Sequence, residues 1–310
     1  MASMQIIEIL EDLFFIERGW LNANHFVHVS KKPILIDTAY KADTDVTVAQ
    51  IAKLGVKPAD VSLIINTHTH CDHIGANRII HEQSGCDIAL HTVGRYFIET
   101  KNDWATWWRY YNQEADFFEC TRSLEDGDVL KIGLHEFQVI YTPGHASDGI
   151  VLYNREQKIL ISSDTLWEND MAVMTLRVEG SLALFSARKS LEKIASLDVR
   201  QVYPGHGKPF KDSETALSIA IKKIDQYMGD RERIGKDLIK KIIIYTLLMK
   251  NPINEQDFFP FLMTTVWFKE TVDLYFNKEY KILYQQIMDS FIRNKIVKVE
   301  NNRFITLIKP

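Results

Sequence analysis

Thr67-His68-Thr69-His70-Cys71-Asp72-His73 packs three histidines and an aspartate into six residues, directly after the apolar run Val61–Asn66. That run follows a charged loop and reads as a buried strand. Imidazole nitrogens and carboxylate oxygens are the donors that zinc and related divalent ions accept. On an extended segment, side chains two residues apart face the same way, so His68 and His70 can serve one ion together. A turn after them can carry Asp72 and His73 to a second ion about 3.5–4 Å away. One histidine in this place would read as a satisfied polar loop; four donors at this spacing do not. Cys71 alternates away from the donors and reads as packed.

Three more donors occur in similar local settings. His145 lies in Thr142-Pro143-Gly144-His145, Asp164 in Ser162-Ser163-Asp164-Thr165, and His206 in Tyr203-Pro204-Gly205-His206-Gly207. Each follows an expected strand. Gly and Pro beside the two histidines let the chain turn sharply at the strand end. His25, His28, His81, His91 and His135 have no such setting and read as structural or surface residues.

The order His-x-His-x-Asp-His, then His, Asp and His, resembles the metallo-β-lactamase-fold hydrolases, which include glyoxalase II, lactonases, thioesterases and some nucleases. The resemblance covers about residues 5–210. It implies an α+β fold, a four-layer αβ/βα sandwich. It also implies two divalent ions, with zinc placed ahead of iron or manganese. One ion would sit on His68, His70 and His145, the other on Asp72, His73 and His206. Asp164 would bridge them, and a hydroxide between the ions would be the nucleophile. Asp72 is the expected catalytic residue, passing a proton to the leaving group. Asp37, in Leu35-Ile36-Asp37-Thr38, resembles the family's supporting aspartate behind the ligand loop; capping of the next turn is the other reading.

The rest of the chain is read around this core. Strands are expected at Gln5–Leu10, Phe14–Glu17, Phe26–Val29, Pro33–Asp37, Val129–Ile132, Glu136–Thr142, Ile150–Tyr153, Ile159–Ser163 and Val199–Pro204. Helices are expected at Thr44–Leu54, Ala76–Gln83, Leu182–Ser196 and Glu214–Tyr227. Two strand-rich halves followed by helices suggest layers rather than one parallel sheet. Residues 229–310 differ: helices at Ile234–Met249, Phe268–Asn277 and Tyr280–Arg293 precede a hairpin around Asn301-Asn302. The division is thus a catalytic domain, 1–228, and a helical, winged-helix-like domain, 229–310. A branch of the resembled family carries such a C-terminal domain.

At 310 residues, with 46% hydrophobic and 25% charged residues, the composition is that of a globular protein. Residues 1–228 hold 23 basic and 31 acidic residues, a net of −8, against +4 for the remainder. That acidic half disfavours nucleic acid, and the mixed helix Tyr280–Arg293 disfavours duplex DNA. Three cysteines make no disulfide framework and point to a reducing, cytoplasmic setting. Gln5–Glu17 is broken by acidic residues and does not read as a secretory signal, and no run is long enough for a bilayer span.

The donors specify hydrolysis but not the bond. The expected activity is a zinc-dependent hydrolase of a small-molecule ester, thioester or lactone carrying an acyl group. The alternative is a metal-dependent ribonuclease or phosphodiesterase acting on single-stranded RNA. His70 disfavours a redox di-iron protein of the same fold, which carries Glu there. The loop Thr165–Asp170 lacks the Gly- and Arg-containing segment of glyoxalase II, which counts against a glutathione thioester. Trp104, Trp107, Trp108, Tyr110, Tyr111, Phe117 and Phe118 form either a lid over an acyl group or a packed core segment. The run Phe258–Leu262 is too apolar for free exposure and suggests an interface, with a homodimer as one form.

Overall fold

The apolar runs of the first 124 residues become one seven-stranded sheet in the computed structural model, which describes residues 5–308. Its strands lie side by side in chain order: β1 (Ile6–Leu10), β2 (Leu13–Ile16), β3 (His25–His28), β4 (Ile34–Ile36), β5 (Leu63–Ile65), β6 (Asp87–His91) and β7 (Arg122–Leu124). Pairing is antiparallel from β1 to β4 and parallel from β4 to β7. Parallel neighbours need crossover connections, and helices Thr44–Lys53 and Asn77–Ser84 supply two of them. A second sheet holds β8 (Val129–Ile132), β9 (His135–Tyr141), β10 (Ile150–Asn154), β11 (Ile159–Ser163) and β12 (Gln201–Pro204), in the order 12-11-10-9-8. Only β11 and β12 run parallel in it, joined through helix Ala183–Ala195.

Strand alternation builds the layers. Phe15, Ile36, Ile65, Phe137, Leu152 and Ile161 form the core between the two sheets. Their neighbours point the other way. Ile16, Leu35 and Ile64 pack under Ile51 and Ile80 of the first helices. Val151, Tyr153 and Leu160 pack under Leu191 and Ile224 of the helices beside the second sheet. The result is helix, sheet, sheet, helix, the four-layer arrangement that the family resemblance implied.

Helix Ser213–Gly229 breaks at Asp230, and helix Arg231–Lys250 begins a C-terminal region. Helices Glu255–Leu262, Val266–Tyr275 and Tyr280–Arg293 follow, with a small sheet of β13 (Ile253–Asn254), β15 (Arg303–Thr306) and β14 (Val297–Glu300). Phe258 and Leu262 are buried inside this region, and Phe259 and Phe261 lie half-buried against its core. Its core continues into the first half, where it includes Cys71, Ile74, Trp107, Tyr110 and Tyr111. The aromatic stretch 104–118 is therefore mainly packing. Trp107, Tyr110 and Tyr111 are buried, and Trp108 is the exposed member.

Strands β6, β7 and β13 and helices Thr92–Glu99 and Glu255–Leu262 are additions to the sequence reading. All are short, and Pro260 inside the last of them masks its helical character. Among the described residues, no helix is long and apolar enough to cross a membrane.

Candidate metal centre

All seven expected donors come together where the strands of both sheets end. His68, His70, Asp72 and His73 lie on the loop after β5, His145 after β9, Asp164 after β11 and His206 after β12. All are buried, none more than 8% exposed. Their donor atoms form three groups, each within 4.8 Å and each able to hold a metal ion: His68–His70–His145, His68–His73–Asp164, and Asp72–His73–His206. Asp164 Oδ2 lies 3.4 Å from His145 Nε2 and 3.6 Å from both His73 Nε2 and His206 Nε2. Asp72 Oδ2 lies 3.1 Å from His206 Nε2.

The imidazoles are held from behind. His73 Nδ1 bonds Asp37 Oδ2 at 2.8 Å, His145 Nδ1 bonds Val173 O at 2.7 Å, and His206 Nδ1 bonds Gly19 O at 3.2 Å. Those acceptors place the proton on Nδ1 and leave a lone pair on Nε2. The Nε2 atoms of His68 and His73 are buried without a hydrogen-bond partner among the described residues, and so, by bond geometry, is that of His206, which faces Asp72 Oδ2. Buried ring nitrogens are rarely left so. Three in one place, beside two carboxylates, match the donor set of a divalent ion.

Local backbone choices make this possible. Asp37 and Ser163 adopt φ of +58° and +46°, a conformation that L-residues accept reluctantly and that clusters at functional sites. Asp37 is well used there: it accepts from Thr67 N at 2.8 Å and Thr67 Oγ1 at 2.7 Å besides His73. It is thus the supporting aspartate of the ligand loop. A Cβ on Gly205 would stand 2.0 Å from Asp164 Oδ1, so only glycine lets the His206 turn approach. Residues 19–24 tie two ligand loops together, through Ala23 N to Asp72 O and Asn24 N to Gly205 O.

Two supporting residues lay beyond sequence reasoning. Glu179, on the short helix Leu176–Glu179, places Oε1 3.3 Å from His70 Nε2 while Oε2 accepts from Ser147 N and Oγ. Trp107 stacks on His70 with centroids 4.0 Å apart. Neither has a local motif, and Glu179 is 109 positions from its partner. Cys71 is buried and donates to Gln113 Oε1, as a packed thiol would. His25, His28 and His91 are buried and belong to none of the three donor groups, and His81 bonds Cys86 O.

Electrostatics divide the cluster. Burial and neighbouring imidazoles hold His68 and His70 well below the usual histidine range, and burial lowers His145. Burial also opposes charge on His73 and His206, but the aspartates around them outweigh it and raise both. Burial works against the Asp164 carboxylate, yet His206 and His73 hold its pKa well below the ordinary value. Burial pushes Glu179 up to about 8 and Asp148 up to about 7. A field that draws protons onto buried imidazoles is one that would also draw a metal cation.

A family model described as "Metallo-beta-lactamase superfamily" matches residues 20–206. The chain is 25% identical over 221 residues to a probable metallo-hydrolase of Bacillus subtilis (strain 168), covering 62% of this chain and 67% of that protein. It is 26% identical over 159 residues to an acyl-coenzyme A thioesterase of Gallus gallus, covering 46% and 56%. The chain thus spans about half to two thirds of these relatives' lengths. A crystal structure of a metallo-beta-lactamase family protein from Thermus thermophilus superposes with a TM-score of 0.61 at 18% identity, covering 96% of this chain and all of that one.

Proposed function

This chain belongs to the metallo-beta-lactamase superfamily and is a metallo-hydrolase of that group, and from that premise we propose that it hydrolyses an ester, thioester or lactone of a small acyl-bearing molecule. The observation that carries the reading is the set of orphaned, pre-oriented imidazole nitrogens around Asp164. His68, His70 and His145 would hold one ion, and Asp72, His73 and His206 the other, with Asp164 shared. Five imidazoles and two carboxylates favour zinc over magnesium or calcium. Bound there, two zinc ions would polarise an acyl carbonyl and make water acidic enough to attack near neutral pH.

The chain's own groups do the rest. Asp37, Val173 and Gly19 keep the ring protons on the outer nitrogens. Asp72 faces His206 through Oδ2, which leaves Oδ1 as the second oxygen of the same carboxylate. That oxygen would take a proton from the attacking water and return it to the leaving group. Trp167 Nε1 donates to Asp164 Oδ1 at 3.3 Å and fixes which oxygen faces the histidines.

The acidic balance of residues 1–228 and the thioesterase relative support an acyl substrate over RNA. Residues 229–310 serve, in this reading, as a winged-helix-like domain that packs on the catalytic domain 1–228 and does not read DNA. The helix Tyr280–Arg293 buries Leu283, Ile287, Met288 and Phe291, which supports packing. Three free, buried cysteines support a cytoplasmic setting.

The test is a panel with zinc-reconstituted protein: aryl esters, acyl-coenzyme A thioesters, acyl-homoserine lactones, a β-lactam, a phosphodiester and single-stranded RNA. Turnover of an acyl substrate with about two zinc ions per chain by elemental analysis is the expected result. Cleavage of RNA alone, or at most one ion after reconstitution, would overturn it.

A further inference from the structure

Helix Arg231–Lys250 carries the run Ile242-Ile243-Ile244-Tyr245 and is apolar on several sides at once. Such a helix must be enclosed. It is enclosed by the C-terminal region on one side and by the ligand loops on the other. Tyr245 reaches His206, with ring centroids 6.3 Å apart. Trp20 and Trp167 reach the same imidazole, at 6.2 Å and 5.3 Å. Three rings from three distant parts of the chain thus surround one donor of the centre.

The same three rings line a cavity of about 260 Å³. Ile244, Phe291 and Ile296 complete its apolar wall, so the C-terminal region roofs it. Charged groups at its edge are mostly spent on each other. Lys241 Nζ lies 3.1 Å from Asp170 Oδ2 and 2.8 Å from Asp237 Oδ2, and donates to Met171 O. Trp20, 37% exposed, stands where the wall meets solvent. An apolar chamber that opens to solvent beside Trp20 and backs onto a polar centre has the form of a small-molecule site, with a few polar groups fixing orientation.

We propose that this cavity is the acyl-chain pocket: it takes the alkyl or aryl tail of the substrate and sets the scissile carbonyl beside His206. The inference rests on the acyl-hydrolase reading above and adds which acyl groups are chosen. The C-terminal helix then determines specificity, and the aromatic stretch 104–118 does not. Chains of medium length are selected, because a shorter tail leaves part of the apolar wall in water and a longer one runs out of wall to cover. Each methylene buried there is worth about fourfold in kcat/KM until the space is full.

Two measurements test it. The first is kcat/KM across acetyl, butyryl, hexanoyl, octanoyl and dodecanoyl thioesters. A rise of roughly threefold to fourfold per methylene and then a plateau or fall is expected. Ile244→Trp, which fills the chamber, is expected to lower the octanoyl-to-acetyl ratio at least about tenfold. Ile296→Trp gives the same readout should the first variant fold poorly. The second is calorimetric titration of the zinc-loaded protein with octanol, a ligand that cannot be hydrolysed. Binding by the parent and loss in the filled variant are expected. A flat chain-length profile in a protein that does hydrolyse thioesters overturns the pocket and leaves the hydrolase reading standing. Octanol binding lost in Ile244→Trp, with no acyl substrate turned over, keeps the chamber and overturns the chemistry. No octanol binding and no chain-length dependence in either variant removes the inference altogether.

Discussion

The two donor triads look alike in outline and differ in what stands behind them. His68, His70 and His145 are neutral imidazoles in a charge-poor corner, where burial pushes even Glu179 up to about 8 and Asp148 up to about 7. His70 is positioned by Trp107 stacked on its face, by Glu179 3.3 Å from its Nε2 and by His145, whose Nε2 lies 2.9 Å from its Nδ1. Asp72, His73 and His206 sit in a corner richer in carboxylates: Asp72 faces His206 and Asp37 holds His73, while Asp164 faces both imidazoles as well as His145 of the other triad. One corner offers donors that packing has aimed; the other offers charge. A centre of this design, with an ion in each corner as proposed, is expected to fail in different ways when each corner is altered.

The harshest alteration is Asp72→Ala, which removes both a donor and the proposed proton carrier. Turnover is expected to fall about 10²–10⁴-fold, with bound metal dropping from about two ions to about one by elemental analysis. Circular dichroism is expected to stay unchanged. Near-normal turnover would show that charge in this corner is dispensable and would erase the distinction between the triads.

Glu179→Gln probes the other corner. The Glu179 carboxyl accepts from Ser147 N and Oγ through Oε2 and turns Oε1 to His70, and above about pH 8, where it ionises, both oxygens can accept. An amide has one acceptor oxygen and must leave either Ser147 or the metal-oriented His70 facing an N–H. Zinc affinity, read by competition with a chelating dye, is expected to fall about 10–100-fold while Asp72-dependent chemistry at saturating zinc changes less. Equal loss of both would mean that Glu179 supports the fold as a whole and not His70.

The smallest effect sharpens the picture of the charge-poor corner. Asp148 has its carboxyl raised by burial to about 7, far above the ordinary 3.8. The folded state therefore resists ionisation that the unfolded chain accepts. Stability is lost as pH climbs from about 4 through about 7, and the full penalty applies above that. Asp148→Asn is expected to stabilise the metal-free protein by about 1–2 kcal/mol at pH about 8 and by little at pH about 4, measured by thermal melts. A gain that is the same at both pH values would remove ionisation as its cause.

These experiments bear on residues that were unequally visible in the sequence. The seven donors were legible because each sits just past a strand, on a turn that Gly, Pro or a run of donors announces locally. The four layers were legible through the family resemblance, and strand alternation, which puts Phe15 and Ile16 on opposite faces, is what builds them. Glu179, Trp107 and Tyr245 were not legible in this way. Their roles depend on contacts across the whole fold, and no spacing rule links position 179 to position 70. The stretch 104–118 shows the same limit from the other side. Its rings signal burial, but composition does not say whether they bury substrate or one another, and the fold spends most of them on helix Arg231–Lys250 and its neighbours.

The placement of the donors has a mechanical consequence. Each triad draws members from the loop after β5 in one sheet and from strand ends of the other. An ion in either position is then a rivet through both plates of the sandwich. Pulling the sheets apart must shear metal–ligand bonds as well as peel the apolar core between Phe15 and Phe137. The joint would stiffen the half of the molecule where the strands end and leave the opposite rim, around the β8–β9 turn, free to breathe. Loading with metal would therefore harden one end of the molecule against force.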